Sequence, residues 1–213
     1  MLVKKFTFNG FQENTYIVYT ATGNCVIIDP GCFTKEEEEE LVDFIMENEL
    51  NPLALLNTHA HIDHVLGNSF VLSQFKIPYY LHTDDLLTLK SVESYAHVYG
   101  FDNYKPSPEP THFLTHNQKL QVEDIEFDVF HTPGHAPGHV IFHSPENGFV
   151  INGDVLFKGS FGRVDLPGGD IEILKKSIHE IMFNLPLNTV VFCGHGPETT
   201  IENEKQTNYI LQF

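Results

Sequence analysis

Ten residues constrain this chain more than any others: Thr58-His59-Ala60-His61-Ile62-Asp63-His64-Val65-Leu66-Gly67. Four side chains able to bind a metal fall within six residues, directly after the apolar run Leu53-Ala54-Leu55-Leu56. That run reads as a buried strand. The ligands therefore lie where a strand ends and a helix begins, and in α/β sheets sites collect at the carboxyl ends of strands. Alternation along the extended part sends His59 and His61 to one side. Asp63 and His64 follow at the turn and face a second point in space. The spacing suits two metal ions close together rather than one. A merely polar surface loop has no use for imidazoles at this density, and imidazole is the commonest protein metal ligand.

The rest of the chain limits what such a site serves. Its 213 residues make one large domain. The formal charge is −17, from 12 Lys+Arg against 29 Asp+Glu, which argues against a nucleic-acid partner. Part of the acidic excess is the run Glu36 to Glu40, read as the solvated start of a helix, where negative charge is favourable. No apolar window is long enough to cross a membrane, and no signal peptide follows Met1-Leu-Val-Lys-Lys. Cys25, Cys32 and Cys193 are odd in number and lack CxxC spacing. They are expected to be free thiols of a cytoplasmic protein. No oligomeric state is legible.

Taken in order, the chain predicts a hairpin over residues 3–9 and 14–20 and a third strand over 25–29. A capping box at Thr34 and Glu37 opens a helix to about residue 50. After the buried strand and the ligand stretch, 62–75 reads as one helix, 78–82 as a strand, and 84–96 as a helix capped by Thr83. Pro106, Pro108 and Pro110 make 97–110 a long loop and a candidate substrate lid. Strands follow near 112–115, 119–122, 125–131, 140–143 and 149–152. Residues 155–169 form a glycine-rich loop. Asp170 caps a helix carrying Ile171, Leu174, Ile178, Ile181 and Leu185 at helical spacing, residues 189–193 form a last buried strand, and a helix over 201–211 follows. Two similar halves of strands and helices predict an α/β four-layer αββα sandwich, a single domain over 1–213.

The pattern of an apolar strand ending near glycine and a ligand recurs at His135, Asp154 and His195. With His59, His61, Asp63 and His64 this gives seven candidate ligands, a set of imidazoles and carboxylates suited to a two-zinc hydrolase site. We assign His59, His61 and His135 to one metal and Asp63, His64 and His195 to the other, with Asp154 bridging.

The order His59-x-His61-x-Asp63-His64, then Thr132-Pro-Gly-His135, Gly153-Asp154 and Gly194-His195-Gly-Pro resembles the metallo-β-lactamase-fold superfamily along essentially the whole chain. The stretches from Ser160 to Gly169 and from Pro197 to Thr200 are similar to the short, single-domain glyoxalase II-like (hydroxyacylglutathione hydrolase-like) branch. The resemblance implies two divalent metals, zinc first, with iron or manganese as alternatives. It also implies hydrolysis of a thioester such as S-lactoylglutathione, in which a metal-activated hydroxide attacks the carbonyl and Asp63 orients it. The further helical domain with which longer glyoxalase II enzymes hold glutathione is expected to be absent. Arg163, the one arginine, falls where that family has a basic residue near the thiol substrate. It is the candidate substrate-binding residue, with an ion pair to Asp165 or Asp170 as the competing role. His131 and His139 are expected to pack behind the ligand loop.

Two alternatives stand beside this. A mononuclear iron persulfide dioxygenase of similar pattern would use His59, His135 and Asp154, a 2-His-1-carboxylate set. A lactone hydrolase would use the same metals. Flavin-linked di-iron reductases replace His61 with Glu in this pattern, so His61 argues against them.

Overall fold

Strands β2 (Glu13–Tyr19), β3 (Asn24–Ile28) and β4 (Asn51–Leu56) are apolar on both faces, and both faces are used. In the computed structural model, which describes residues 1–213, Ile17, Cys25, Ile27 and Leu55 point to one core. Their neighbours Tyr16, Val18, Val26, Ile28, Ala54 and Leu56 point to another. A strand buried on both sides must lie between two layers, and period-two alternation divides its residues between them.

The first sheet runs β1-β2-β3-β4-β5-β6, with β1 Leu2–Phe8, β5 Tyr79–His82 and β6 His112–Leu114. Helices α1 (Lys35–Glu47), α3 (Asn68–Phe75) and α4 (Leu86–Tyr95) cover its outer face, through Leu41, Ile45, Val71, Leu89 and Val92. The second sheet runs β14-β13-β10-β9-β8-β7. Its members are β7 Gln118–Val122, β8 Ile125–His131, β9 Val140–Ser144, β10 Phe149–Gly153, β13 Val190–Cys193 and β14 Thr199–Thr200. Phe127, Val129, Phe142, Phe149 and Ile151 meet the first sheet in the central core. On the far side Leu174 and Ile178 of α5 (Ile171–Glu180) and Ile201 of α6 (Ile201–Thr207) close a third core. Three cores separate four layers, the αββα sandwich.

The capping box forms as expected, with Thr34 and Glu37 bonding reciprocally. Four local expectations are corrected. The helix expected over 62–75 is two pieces, α2 (Ile62–Val65) and α3. Gly67 sits at the break because the chain crosses another there: a Cβ on it would lie 2.5 Å from Cys32 Sγ and 2.8 Å from the Pro30 carbonyl. The segment after His82 starts as a 3₁₀ turn, Thr83–Asp85, capped by the His82 ring, which accepts from Asp84 N; α4 then begins at Leu86, and Thr83 does not cap it. The glycine-rich loop contains a small hairpin, β11 (Leu156–Phe157) and β12 (Ser160–Phe161). The last helix stops at Asn208, whose side chain turns away to bond Ser160 O and Glu204. A 3₁₀ turn, Tyr209–Gln212, follows it. The 97–110 segment opens with a 3₁₀ turn, Ala96–Tyr99, and then has no regular structure up to Pro110. Cys25, Cys32 and Cys193 are buried and free. Burial pushes the Cys25 and Cys193 thiols up to about 12, so they pack as apolar groups. No helix is long and apolar enough to cross a membrane.

Candidate metal centre

Parallel pairing sets where the chain can place a ligand. β3, β4 and β5 run parallel, as do β10 and β13. Their carboxyl ends lie along one edge of the sandwich. At that edge the two sheets are joined by backbone hydrogen bonds, from Val140 N to Thr58 O (2.8 Å) and from Asn14 N to Gly194 O (2.7 Å). The turn after β4 thus meets the loops after β8, β10 and β13.

Seven side chains converge there, and they are the seven expected from the sequence. His135 Nε2 lies 2.8 Å from His61 Nδ1 and 3.3 Å from His59 Nε2. A tetrahedral zinc with nitrogens at about 2.0–2.1 Å holds them roughly 3.3 Å apart, which the His135–His59 pair matches at 3.3 Å and the His135–His61 pair approaches at 2.8 Å. Beside it, Asp63 Oδ2 lies 3.1 Å from His195 Nε2 and 3.8 Å from His64 Nε2. Asp154 stands between the triads. Its Oδ2 is 3.5 Å from both His135 Nε2 and His195 Nε2, and its Oδ1 is 3.5 Å from His64 Nε2.

For four of the five rings, all but His61, which turns its Nδ1 inward, the opposite edge explains why these atoms face inward. His59 Nδ1 bonds Thr58 Oγ1, His64 Nδ1 bonds Asp29 Oδ2, His135 Nδ1 bonds Arg163 O, and His195 Nδ1 bonds Phe11 O. A ring whose Nδ1–H donates outward presents a bare Nε2 lone pair inward, the state a metal needs. Two inward atoms, His64 Nε2 and Asp154 Oδ1, are buried without any hydrogen-bond partner. Buried polar atoms are seldom left so, and a cation between them would satisfy both. The donor set therefore fits divalent metal.

The charges agree. Burial holds His59 and His61 below the ordinary histidine range, His61 to about 3, so both are neutral ligands. Burial alone would raise Asp154, but the neighbouring His64 and His135 outweigh it and hold it low. Asp63 is likewise kept ionised, against its burial, by His64 and His195. His64 has four carboxylates around it: Asp29 at 3.1 Å, Asp154 at 3.5 Å, and Asp63 and Glu13 at 3.8 Å. Burial would strip its proton, yet Asp154 and Asp63 raise it instead. A pocket this negative holds positive charge.

Residue-type spacing did not reveal the residues that brace the ligands. Asp29 ends β3 and accepts from Thr58 N (2.7 Å), Thr58 Oγ1 (2.5 Å) and Asn57 Nδ2 (3.1 Å) as well as from His64. The available signal was an Asp closing an apolar strand before Pro30-Gly31, the same pattern that marks the ligands. Asp85 accepts from Ala60 N (2.7 Å) and Gly138 N (2.8 Å), so one carboxylate ties together the two histidine loops. Nothing in the sequence distinguishes it from Asp84. His139 accepts from Asp154 N (3.0 Å) and stacks on His59 at 4.7 Å, in line with the expected packing role. His131 bonds Pro137 O and stacks nearly parallel on His82, 4.1 Å away. Arg163 lies on the loop behind His135, with its side chain turned to Asp165 in two 2.7 Å bonds.

The profile of the metallo-beta-lactamase superfamily matches residues 8–195. The chain belongs to that superfamily. "Hydroxyacylglutathione hydrolase GloC" of Haemophilus influenzae is 33% identical, covering 99% of this chain and 98% of that protein. Among solved structures, "BLEG-1 B3 metallo-beta-lactamase" superposes with a TM-score of 0.90 at 37% identity, covering 100% of both chains. "TTHA1623 in a di-iron-bound form" gives 0.86 at 39%, covering 97% of this chain and 98% of the other. As a superfamily member with a His/Asp metal-binding site, the protein is a metallo-hydrolase.

Proposed function

We propose that this protein is a binuclear metal-dependent hydrolase of the glyoxalase II-like branch, cleaving a small thioester such as S-lactoylglutathione. The observation that carries the proposal is the pair of adjoining triads with Asp154 touching both. His59, His61 and His135 would hold one cation, and Asp63, His64 and His195 the other, with Asp154 bridging. Zinc is the first expectation, and the di-iron relative makes iron the main competitor. When bound, the pair would supply an acidified water at neutral pH and polarise a carbonyl.

The chain's own groups do the rest. Asp63 is only partly buried and stands on the open side of the cluster, next to His195. There its carboxylate would orient the attacking water. Asp154 is kept ionised and offers an oxygen to each triad. His64 and His59 are fixed in tautomer by Asp29 and Thr58, so the ligand atoms are set before substrate arrives. Arg163 is exposed and could exchange Asp165 for a substrate carboxylate. The acid-rich surface disfavours a nucleic-acid substrate. The relationship to the Haemophilus hydrolase supports a thioester over a lactone.

The test is elemental analysis of protein purified without added metal, alongside S-lactoylglutathione hydrolysis and persulfide-dependent oxygen uptake. About two metals per chain with thioester turnover supports the proposal. One iron with oxygen uptake replaces it with the dioxygenase.

A further inference from the structure

A row of aromatic rings stands at the rim of the metal centre and takes no part in holding it. Phe11, in the turn between β1 and β2, accepts from His195 Nδ1 through its carbonyl, so its ring is tethered beside a ligand. That ring meets Tyr99 edge-on at 5.6 Å and Phe101 at 5.9 Å. Phe101 is buried and packs on Phe33 at 4.8 Å, which roots the row in the first core. Tyr99 in turn meets Tyr95 at 5.9 Å.

The rings stand beside His195, on the open side of the metal centre. Their outer faces are bare: Phe11 is 39% exposed and Tyr99 52%. Exposed aromatics gathered at a rim, with their inner neighbours buried, mark a surface that something apolar covers. The segment carrying Tyr99 is the 97–110 stretch whose prolines set it apart as a candidate lid.

We infer that Tyr99 and Phe11 form the apolar wall of the substrate site, along which the carbon chain of a thioester's S-linked group lies. The inference deepens the thioester reading and rests on it for the class of substrate. A thioester with an apolar S-substituent matches these exposed ring faces. The wall is specificity-determining and does not touch the reacting atoms.

The test uses S-alkyl thioethers of glutathione, from methyl to hexyl, which contain no carbonyl to hydrolyse. Binding to the metal-loaded protein is measured by calorimetry. In the wild type, affinity should rise by up to about fourfold for each methylene laid on the rings. Tyr99→Ala should flatten that slope, and Phe11→Ala should flatten it in part. Tyr99→Phe should keep it, because the ring face and not the hydroxyl makes the wall. Equal slopes in wild type and Tyr99→Ala, or no slope in the wild type, would overturn the inference. S-lactoylglutathione hydrolysis run in parallel separates the two readings. A steep wild-type slope lost in Tyr99→Ala, without turnover, keeps the wall and removes the reaction. Turnover with a slope indifferent to Tyr99 does the reverse.

Discussion

Replacing Asp29 by Asn tests whether the bracing of the ligands, and not only their presence, makes the centre. Asp29 accepts four hydrogen bonds, from Thr58 N, Thr58 Oγ1, Asn57 Nδ2 and His64 Nδ1. The amide keeps one acceptor oxygen, enough for Thr58 N and Asn57. Its NH₂ then faces Thr58 Oγ1 and His64 Nδ1, where the carboxylate had been. His64 Nδ1–H can no longer donate there. The ring relieves the clash by carrying its proton on Nε2 instead, which removes the lone pair pointing at the second metal. His59 suffers less, since Thr58 Oγ1 can still accept from its Nδ1. Loss of a partner that orients a metal-bound histidine costs about 10–100-fold in affinity, roughly 1.4–2.7 kcal/mol. A mismatched buried donor costs a further 1–3 kcal/mol or so of fold stability. Competition with a chromophoric chelator should show two binding steps in the wild type. In Asp29→Asn the weaker-braced step should fall by that factor and the other by less, with the circular dichroism spectrum retained. Unchanged steps, or equal losses at both, would refute the reasoning.

Three further outcomes follow from the same structure. A Cβ on Gly194 would lie 2.1 Å from Asp154 Oδ1 and 2.8 Å from His64 Cε1, so Gly194→Ala should abolish second-metal binding in elemental analysis while the protein still folds. Asp85 is pushed up to about 6, first by burial, although two backbone N–H groups oppose it. Between an unfolded pKa of about 3.9 and the folded value, the native state binds more protons, so stability falls as pH rises through this window. Urea unfolding should show wild type losing about 2 kcal/mol relative to Asp85→Asn between pH 4 and 6, and parallel curves would contradict this. Phe142 is fully buried between the sheets beside Phe127, and Phe142→Ala should cost about 3–5 kcal/mol, read as a melting point lower by roughly 6–20 °C.

The seven candidate ligands could be picked out because metal chemistry limits residue type and strand ends limit position. His59 through His64 lie on one turn, and His135, Asp154 and His195 repeat one local pattern. The layering was legible too, since strands such as Cys25-Val-Ile-Ile could only be buried on both faces. What the sequence did not contain was any relation between distant segments. Asp85 reads like Asp84 until folding brings Ala60 N and Gly138 N to its two oxygens. Asp29 reads as a strand end until the parallel pairing of β3 with β4 sets it beside Thr58 and His64. The break at Gly67 was invisible because helix propensity is local, while the crossing against Pro30 and Cys32 is not. Sequence by itself determined which atoms could bind a cation and that they lie at strand ends. Tertiary structure decided which atom of each histidine faces the cluster and which two triads form. The same contacts set the row of rings beside His195, because through-space neighbours fix orientations and chain order does not.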